Sequence, residues 1–290
     1  MTFRSLVQRA PWLRIALLVG IVYVGLGVVL YAVQTWLVFP ATHLYSERDA
    51  FNAPSGVRVV ELPSGTPMWV SGEHDRVVLM VHGNAEWVGN LEAGYRGPLR
   101  SLNTSFAAVE FRGVAGAPGP LSEAGLVQDV VLAIDALNEL GWPTDRIVLH
   151  GRSIGGGIAS RATRERDVAG LVLESSFDSL SAVVSRKFPT LLYPRFLLAT
   201  PLRSDDALSG RDIPVFQVHD IYDTVVHVGR ARALRDHLVD ATVTETAGYP
   251  HGAPIVLSDE RAHTEWREWL NETLPPHEEP TDGTPPTASP

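Results

Sequence analysis

The amino-acid sequence predicts a mostly parallel, doubly wound α/β sheet preceded by one N-terminal transmembrane helix. Three observations carry that expectation. From residue 76 onward, strand-like apolar runs alternate with helix-like amphipathic ones, the pattern of right-handed βαβ crossovers. Residues 76–82 (RVVLMVH) are nearly continuous in apolar side chains, as a strand covered on both faces must be. Between Ile15 and Phe39 no residue is charged, a length that crosses a bilayer as a helix.

That run divides the chain into an N-terminus (1–14), an anchor (15–39), a globular domain (40–274) and a Pro- and Glu-rich tail (275–290) expected to be disordered. Trp12 and Trp36 flank the anchor at interfacial positions and Pro40 ends it. Arg4, Arg9 and Arg14 precede it, so the positive-inside rule puts the N-terminus in the cytoplasm and the domain outside. Basic side chains are almost all arginine, with Lys187 the one lysine, which reads as a GC-rich bacterial coding bias. The domain is then expected at the periplasmic face of a bacterial inner membrane. A cleaved signal peptide is the competing reading. Against it, the apolar run exceeds a signal-peptide core, and no small-x-small cleavage site stands out before Pro40. A net charge of −9 with no basic stripe argues against a nucleic-acid partner. The absence of cysteine excludes disulfides, thiolate zinc sites and a cysteine nucleophile.

Along the domain, 57–62 (VRVVEL) and 67–71 (PMWVS) read as antiparallel strands around Pro63-Ser64-Gly65. After the strand at 76–82 come a short helix at 90–100, a strand at 104–111 and a Gly/Pro loop at 112–120. Ser122 caps a helix running to Leu140, whose apolar positions 126, 127, 130, 131, 134 and 137 share one face. Strands at 146–150, 168–173, 213–218 and 242–246 follow, with helices after 154, at 229–239 and at 258–270. Trp266 and Trp269 are expected to dock the last helix on the core. A long connection, 178–210, contains Pro189, Pro194 and Pro201.

The chemistry starts at Gly151-Arg152-Ser153-Ile154-Gly155, a G-x-S-x-G turn between a strand and a helix of small residues. Such an elbow leaves no room for side chains at Gly151 and Gly155 and lifts the Ser153 hydroxyl off the sheet. A serine needs a base, and the base needs an acid to fix its tautomer. In an open parallel sheet the loops at the carboxyl ends of the strands gather the site. Of the histidines after Ser153, His251 lies in such a loop, in Gly248-Tyr249-Pro250-His251-Gly252. His219 reads as a strand-end residue bonded to backbone, His227 as a helix-start residue, and His237 and His263 as helix-surface residues. Asp223 is the preferred acid, with Asp220 and Asp178 as rivals. For the oxyanion, the backbone N–H of Ile154 is one donor, and Asn84, with Ala85 as the alternative, supplies the second. His82 is expected to bond nearby backbone and shape that loop.

The stretches HGNAEWVGN, FRGVAGAPGPLSEAGLVQDVVLAIDAL, IVLHGRSIGGGIA and LVLESSFDSL, with the Asp223/His251 region, resemble the α/β-hydrolase superfamily. More narrowly they resemble its single-pass, membrane-anchored bud-emergence-suppressor and wavy-growth branch, related to protein depalmitoylases. The likeness runs from Leu37 to Leu270. It implies the α/β-hydrolase fold and a catalytic Ser153, Asp223 and His251. It also implies a serine hydrolase of esterase, lipase or thioesterase type, cleaving carboxyl esters or acyl thioesters through an acyl-enzyme without metal or organic cofactor. The 178–210 connection, carrying Phe188, Leu191, Leu192, Tyr193, Phe196 and Leu197, is either a small apolar lid, which favours lipid-like acyl substrates, or ordinary packing. Two other functions stay open: a catalytically silent, membrane-anchored binding protein with the same fold, and a serine peptidase.

Overall fold

The computed structural model describes residues 11–189 and 197–275. The first element among the described residues is a 28-residue helix, α1 (Pro11–Val38). Its span Trp12–Val38 has a mean hydropathy of 2.5, and its most apolar window has no part buried inside the protein. At 1.5 Å per residue such a helix is long enough for a hydrocarbon core of about 30 Å. A single turn, α2 (Ala41–Leu44), leads into the domain.

Eight strands make one sheet in the order β1-β2-β4-β3-β5-β6-β7-β8. They are β1 (Arg58–Glu61), β2 (Pro67–Ser71), β3 (Val77–Val81), β4 (Ser105–Val109), β5 (Ile147–Arg152), β6 (Gly170–Glu174), β7 (Pro214–Asp220) and β8 (Asp240–Thr246). The β1/β2 and β2/β4 pairs are antiparallel, and every pair from β4 through β8 is parallel. Every residue of β3, β4, β5 and β6 is buried, which is why those segments read as continuous apolar runs rather than alternating ones.

Among the described residues the α-helices of the domain that follow are α3 (Val88–Ser101), α4 (Glu123–Glu139), α5 (Ile154–Ala162), α6 (Leu180–Lys187), α7 (Ser204–Leu208), α8 (Val228–Arg235), α9 (Ile255–Ser258) and α10 (Glu260–Thr273). Neighbouring residues of β5 show the two-sided covering. His150 meets Tyr95 of α3 and Trp266 of α10, with ring centroids 5.3 and 6.2 Å away. Gly151, pointing the other way, abuts the backbone of α5 at Gly155 and Gly156. Trp266 and Trp269 are buried, and Trp269 lies 5.9 Å from Phe216 of β7, so the last helix docks as its sequence suggests.

Several boundaries differ from the sequence reading. β5 continues to Arg152, because its ladder with β6 pairs Arg152 with Glu174. The helix expected over 229–239 stops at Arg235, and the chain is already in β8 at Asp240. The last helix is broken at Asp259, whose carboxylate accepts the Ala262 N–H at 2.8 Å and starts α10 afresh. The 178–210 connection contains α6 and α7. Of its apolar residues, Leu191, Leu192, Tyr193 and Phe196 lie outside the described residues, as does the tail beyond Pro275. Ser122 caps α4 as expected, accepting the Gly125 N–H at 3.1 Å, and the six apolar positions of that helix are all buried.

The tightest approach in the fold is at the start of α5. A Cβ on Gly155 would run into the carbonyl oxygens of Val81 and His82, and one on Gly151 into the backbone of Gly155 and Gly156. Gly151→Ala and Gly155→Ala are each expected to lower unfolding free energy by about 1–3 kcal/mol or more, since rigid backbone must move. Gly94→Ala in α3, where nothing lies within 4 Å, is expected to raise it by about 0.5–1 kcal/mol. Denaturant titration of the full chain in micelles checks both signs.

Candidate active site

Ser153 sits between β5 and α5 with φ +50° and ψ −117°, a conformation that non-glycine residues rarely hold. Its neighbours enforce it. The Ser153 N–H donates to the Glu174 carbonyl at 2.8 Å, and its own carbonyl accepts the Ser176 hydroxyl at 3.1 Å. The hydroxyl is left facing His251, whose Nε2 is 2.9 Å from Ser153 Oγ. His251 Nδ1 is 2.6 Å from Asp223 Oδ2. The Asp223 Oδ1 accepts the N–H groups of Val225 and Val226 at 2.7 and 2.9 Å. Burial raises the pKa of Asp223, but the His251 contact and those two donors outweigh it and hold the carboxyl below its ordinary value. A carboxylate on Nδ1 orients the imidazole and leaves Nε2 as the ring nitrogen that faces the serine.

The rival acids do other things. Asp220 accepts the N–H of Tyr222 at 2.8 Å and that of Tyr249 at 2.7 Å, so it anchors the loop leading to His251. Asp178 pairs with Arg230 at 3.1 Å. His219 Nε2 meets the Val226 carbonyl at 2.7 Å, and burial lowers its pKa. His227 caps α8, accepting the Gly229 N–H at 3.0 Å. His237 lies in the exposed turn after α8, and His263 is half-buried against the Val256 carbonyl at 2.9 Å. His82 bonds the Gly83 carbonyl at 2.8 Å and also, beyond what the sequence suggested, Glu110 at 2.7 Å.

Around Ser153 and His251 lies a cleft of about 300 Å³, lined also by Tyr45, Asn84 and Ala85. Larger depressions exist, one of about 720 Å³ beside Gly72 and Trp142. There the Ser71 hydroxyl donates to the Gly56 carbonyl at 2.8 Å and not to a histidine. The Gly83 N–H is taken by Glu86 Oε2 at 2.7 Å. Among the described residues the N–H groups of Asn84 and Ile154 have no intramolecular acceptor.

Sequence reasoning missed the ionic cluster beneath the cleft. Glu174 is fully buried and accepts the Tyr95 hydroxyl at 2.6 Å, His150 Nε2 at 3.0 Å and the Val256 N–H at 3.1 Å. Arg152 Nε lies 3.3 Å from the same carboxylate. Its Nη2 donates to the carbonyls of Gly252 and Ala253 at 3.0 and 3.2 Å, and its Nη1 pairs with Glu86. The one available signal was a charged residue inside an otherwise buried elbow.

No family model matches the chain. The protein Bem46 of Schizosaccharomyces pombe is 26% identical over 220 residues, 68% of this chain and 72% of the relative. An α/β hydrolase from Vibrio vulnificus superposes with a TM-score of 0.63 at 21% identity, over 82% of this chain and 93% of that one. An esterase of Pyrococcus furiosus superposes with a TM-score of 0.61 at 19% identity, over 75% and 91%.

Burial raises the pKa of Glu174, yet His150, Arg152 and Tyr95 together hold it at about 2, against an ordinary 4.5. The folded carboxylate therefore binds a proton less readily than the unfolded one. Its contribution to stability is complete above the unfolded value and is lost as pH falls from about 4.5 toward about 2. The denaturation midpoint should fall across that window. Glu174→Gln should be less stable at pH 7 and decline less steeply; a parallel decline in both proteins would assign the acid sensitivity to other groups.

Proposed function

The chain belongs to the α/β-hydrolase superfamily, in its bud-emergence-suppressor-like branch, and from that premise we propose that it is a membrane-anchored serine hydrolase of carboxyl esters or acyl thioesters. The observation that carries the reading is the continuous line Ser153 Oγ, His251, Asp223, with contacts of 2.9 and 2.6 Å. In the proposed reaction Ser153 attacks the carbonyl carbon while His251 Nε2 takes its proton. The N–H groups of Asn84 and Ile154 hold the oxyanion of the tetrahedral intermediate. Its collapse expels the alcohol or thiol, which receives the proton from His251, and leaves an acyl-enzyme. Water, deprotonated by the same imidazole, then releases the acid. Asp223 orients His251 and offsets its transient positive charge.

The long apolar α1 supports a single-pass anchor, and Arg14 at its start supports a cytoplasmic N-terminus with the domain on the periplasmic side.

A fluorophosphonate probe should label the wild type and not Ser153→Ala. A folded but unlabelled wild type would favour a silent binding protein. Among p-nitrophenyl esters of graded chain length and aminoacyl anilides, the esters should turn over; preference for the anilides would mark a peptidase. Asp223→Asn should lower kcat by about 10⁴-fold. Asp220→Asn should keep most of the turnover while lowering stability, since Asp220 bonds backbone and not His251; the reverse result reassigns the acid.

A further inference from the structure

The loop proposed to stabilise the oxyanion is held from outside by the end of the membrane anchor. Val38 is the last residue of α1, and Phe39 is already in the core, 1% exposed and edge-on to Phe111 at 6.5 Å. No flexible linker intervenes. Three hydrogen bonds then join residues 38–45 to residues 84 and 85. Asn84 Nδ2 donates to the Val38 carbonyl at 3.3 Å, Ala41 N–H donates to the Asn84 carbonyl at 3.1 Å, and the Tyr45 hydroxyl donates to the Ala85 carbonyl at 3.1 Å. The Tyr45 ring also packs 6.1 Å from that of Trp87.

The geometry matters because a peptide group is planar. The Asn84 N–H belongs to the peptide whose carbonyl is that of Gly83, and that carbonyl is bonded inside the domain by His82 at 2.8 Å and by the Glu86 N–H at 3.3 Å. The following peptide, with the Asn84 carbonyl and the Ala85 N–H, is fixed by Ala41. The one after, with the Ala85 carbonyl, is fixed by Tyr45. Both candidate donors, Asn84 and Ala85, thus sit on a segment whose downstream half has its hydrogen bonds to the anchor's end.

We propose that residues 38–45 are a positioning element of the active site, and that oxyanion stabilisation depends on the docking of the membrane anchor. Tyr45 and the Asn84 side chain are its positioning residues. The proposal rests on the hydrolase reading. It gives the anchor a role in turnover in addition to attachment, and it makes the domain a poor enzyme once that junction is loosened.

The test uses the full chain in detergent micelles with a short-chain p-nitrophenyl ester. Tyr45→Phe and Asn84→Ala each remove one bond to the loop. Ser46→Ala removes a bond internal to the junction, to the His43 carbonyl, and serves as the control. Tyr45→Phe and Asn84→Ala should each lower kcat about tenfold, part of the 10²–10³ lost with a whole oxyanion donor. The double variant should lose more. KM should stay within about twofold and the pH profile should not move, because Ser153, His251 and Asp223 are untouched; the melting temperature should hold. Ser46→Ala should match wild type. Unchanged kcat in both loop variants, with the wild type active, overturns the proposal and leaves the hydrolase reading standing. A loss of kcat that tracks a fallen melting temperature also overturns it, by making the effect one of stability. A wild type that neither hydrolyses nor takes the fluorophosphonate label removes the hydrolase reading, and the proposal with it.

Discussion

A single buried guanidinium keeps the loops of the site in register. Arg152 is 7% exposed and faces two carboxylates, Glu174 at 3.3 Å and Glu86. Its remaining donors go to the carbonyls of Gly252 and Ala253, next to His251. Glu86 in turn holds the Gly83 N–H at the start of the proposed oxyanion loop. One side chain therefore connects the serine's own strand, the loop that carries His251 and the loop that carries the proposed oxyanion donor. Removing one partner from such a buried cluster costs about 3–5 kcal/mol, because the charge left behind is unpaired. The cluster is better understood as a device for geometry than for net stability, since desolvation offsets most of the Coulombic gain.

Geometry is what the serine requires. With φ at +50°, Ser153 is in a conformation that costs of order 1–3 kcal/mol unless its surroundings hold it. The surroundings do so on both sides. β5 is pinned between β3 and β6 along its length, and α5 starts where glycine allows its backbone to touch β3. The strained turn aims the hydroxyl at an imidazole that approaches from a loop after β8, nearly a hundred residues later in the chain (|i−j| = 98). In the proposed reaction, groups placed before substrate arrives remove the reorganisation that a flexible site would have to undergo.

Much of this was legible in the sequence, for definable reasons. Strand identity from β3 to β7 followed from continuous apolar runs, and the elbow from glycines whose side chains the fold has no room for. The grouping of Ser153, Asp223 and His251 followed from their places at strand ends. What could not be read was anything set by contacts between distant segments. Asp220 stays a rival to Asp223 along the chain; the contacts separate them, Asp220 being engaged by the Tyr249 N–H and Asp223 by the ring of His251. Arg152 and Glu86 are separated by 66 residues, so their pairing leaves no local mark. The sequence places a helix over 229–239, whereas the helix ends at Arg235 and the chain begins β8 at Asp240.

The same loop is thus held from two directions by different physics. From within, His82 and the Glu86 N–H fix its first peptide at the Gly83 carbonyl, while the Glu86 carboxylate, which pairs with Arg152 at the edge of the cleft, holds the Gly83 N–H. From without, the end of α1 fixes its next two peptides through neutral hydrogen bonds and a Tyr45 ring that also lines the cleft. A tether of polar residues would let a domain tumble above the bilayer. A junction in which Val38 closes a helix and Phe39 enters the core gives no such freedom. If α1 spans the membrane, the cleft must therefore stay near the lipid surface, and its orientation to that surface is set by the hydrogen bonds that shape the loop. Attachment and site geometry then become one constraint, which is why residues 38–45 bear on both.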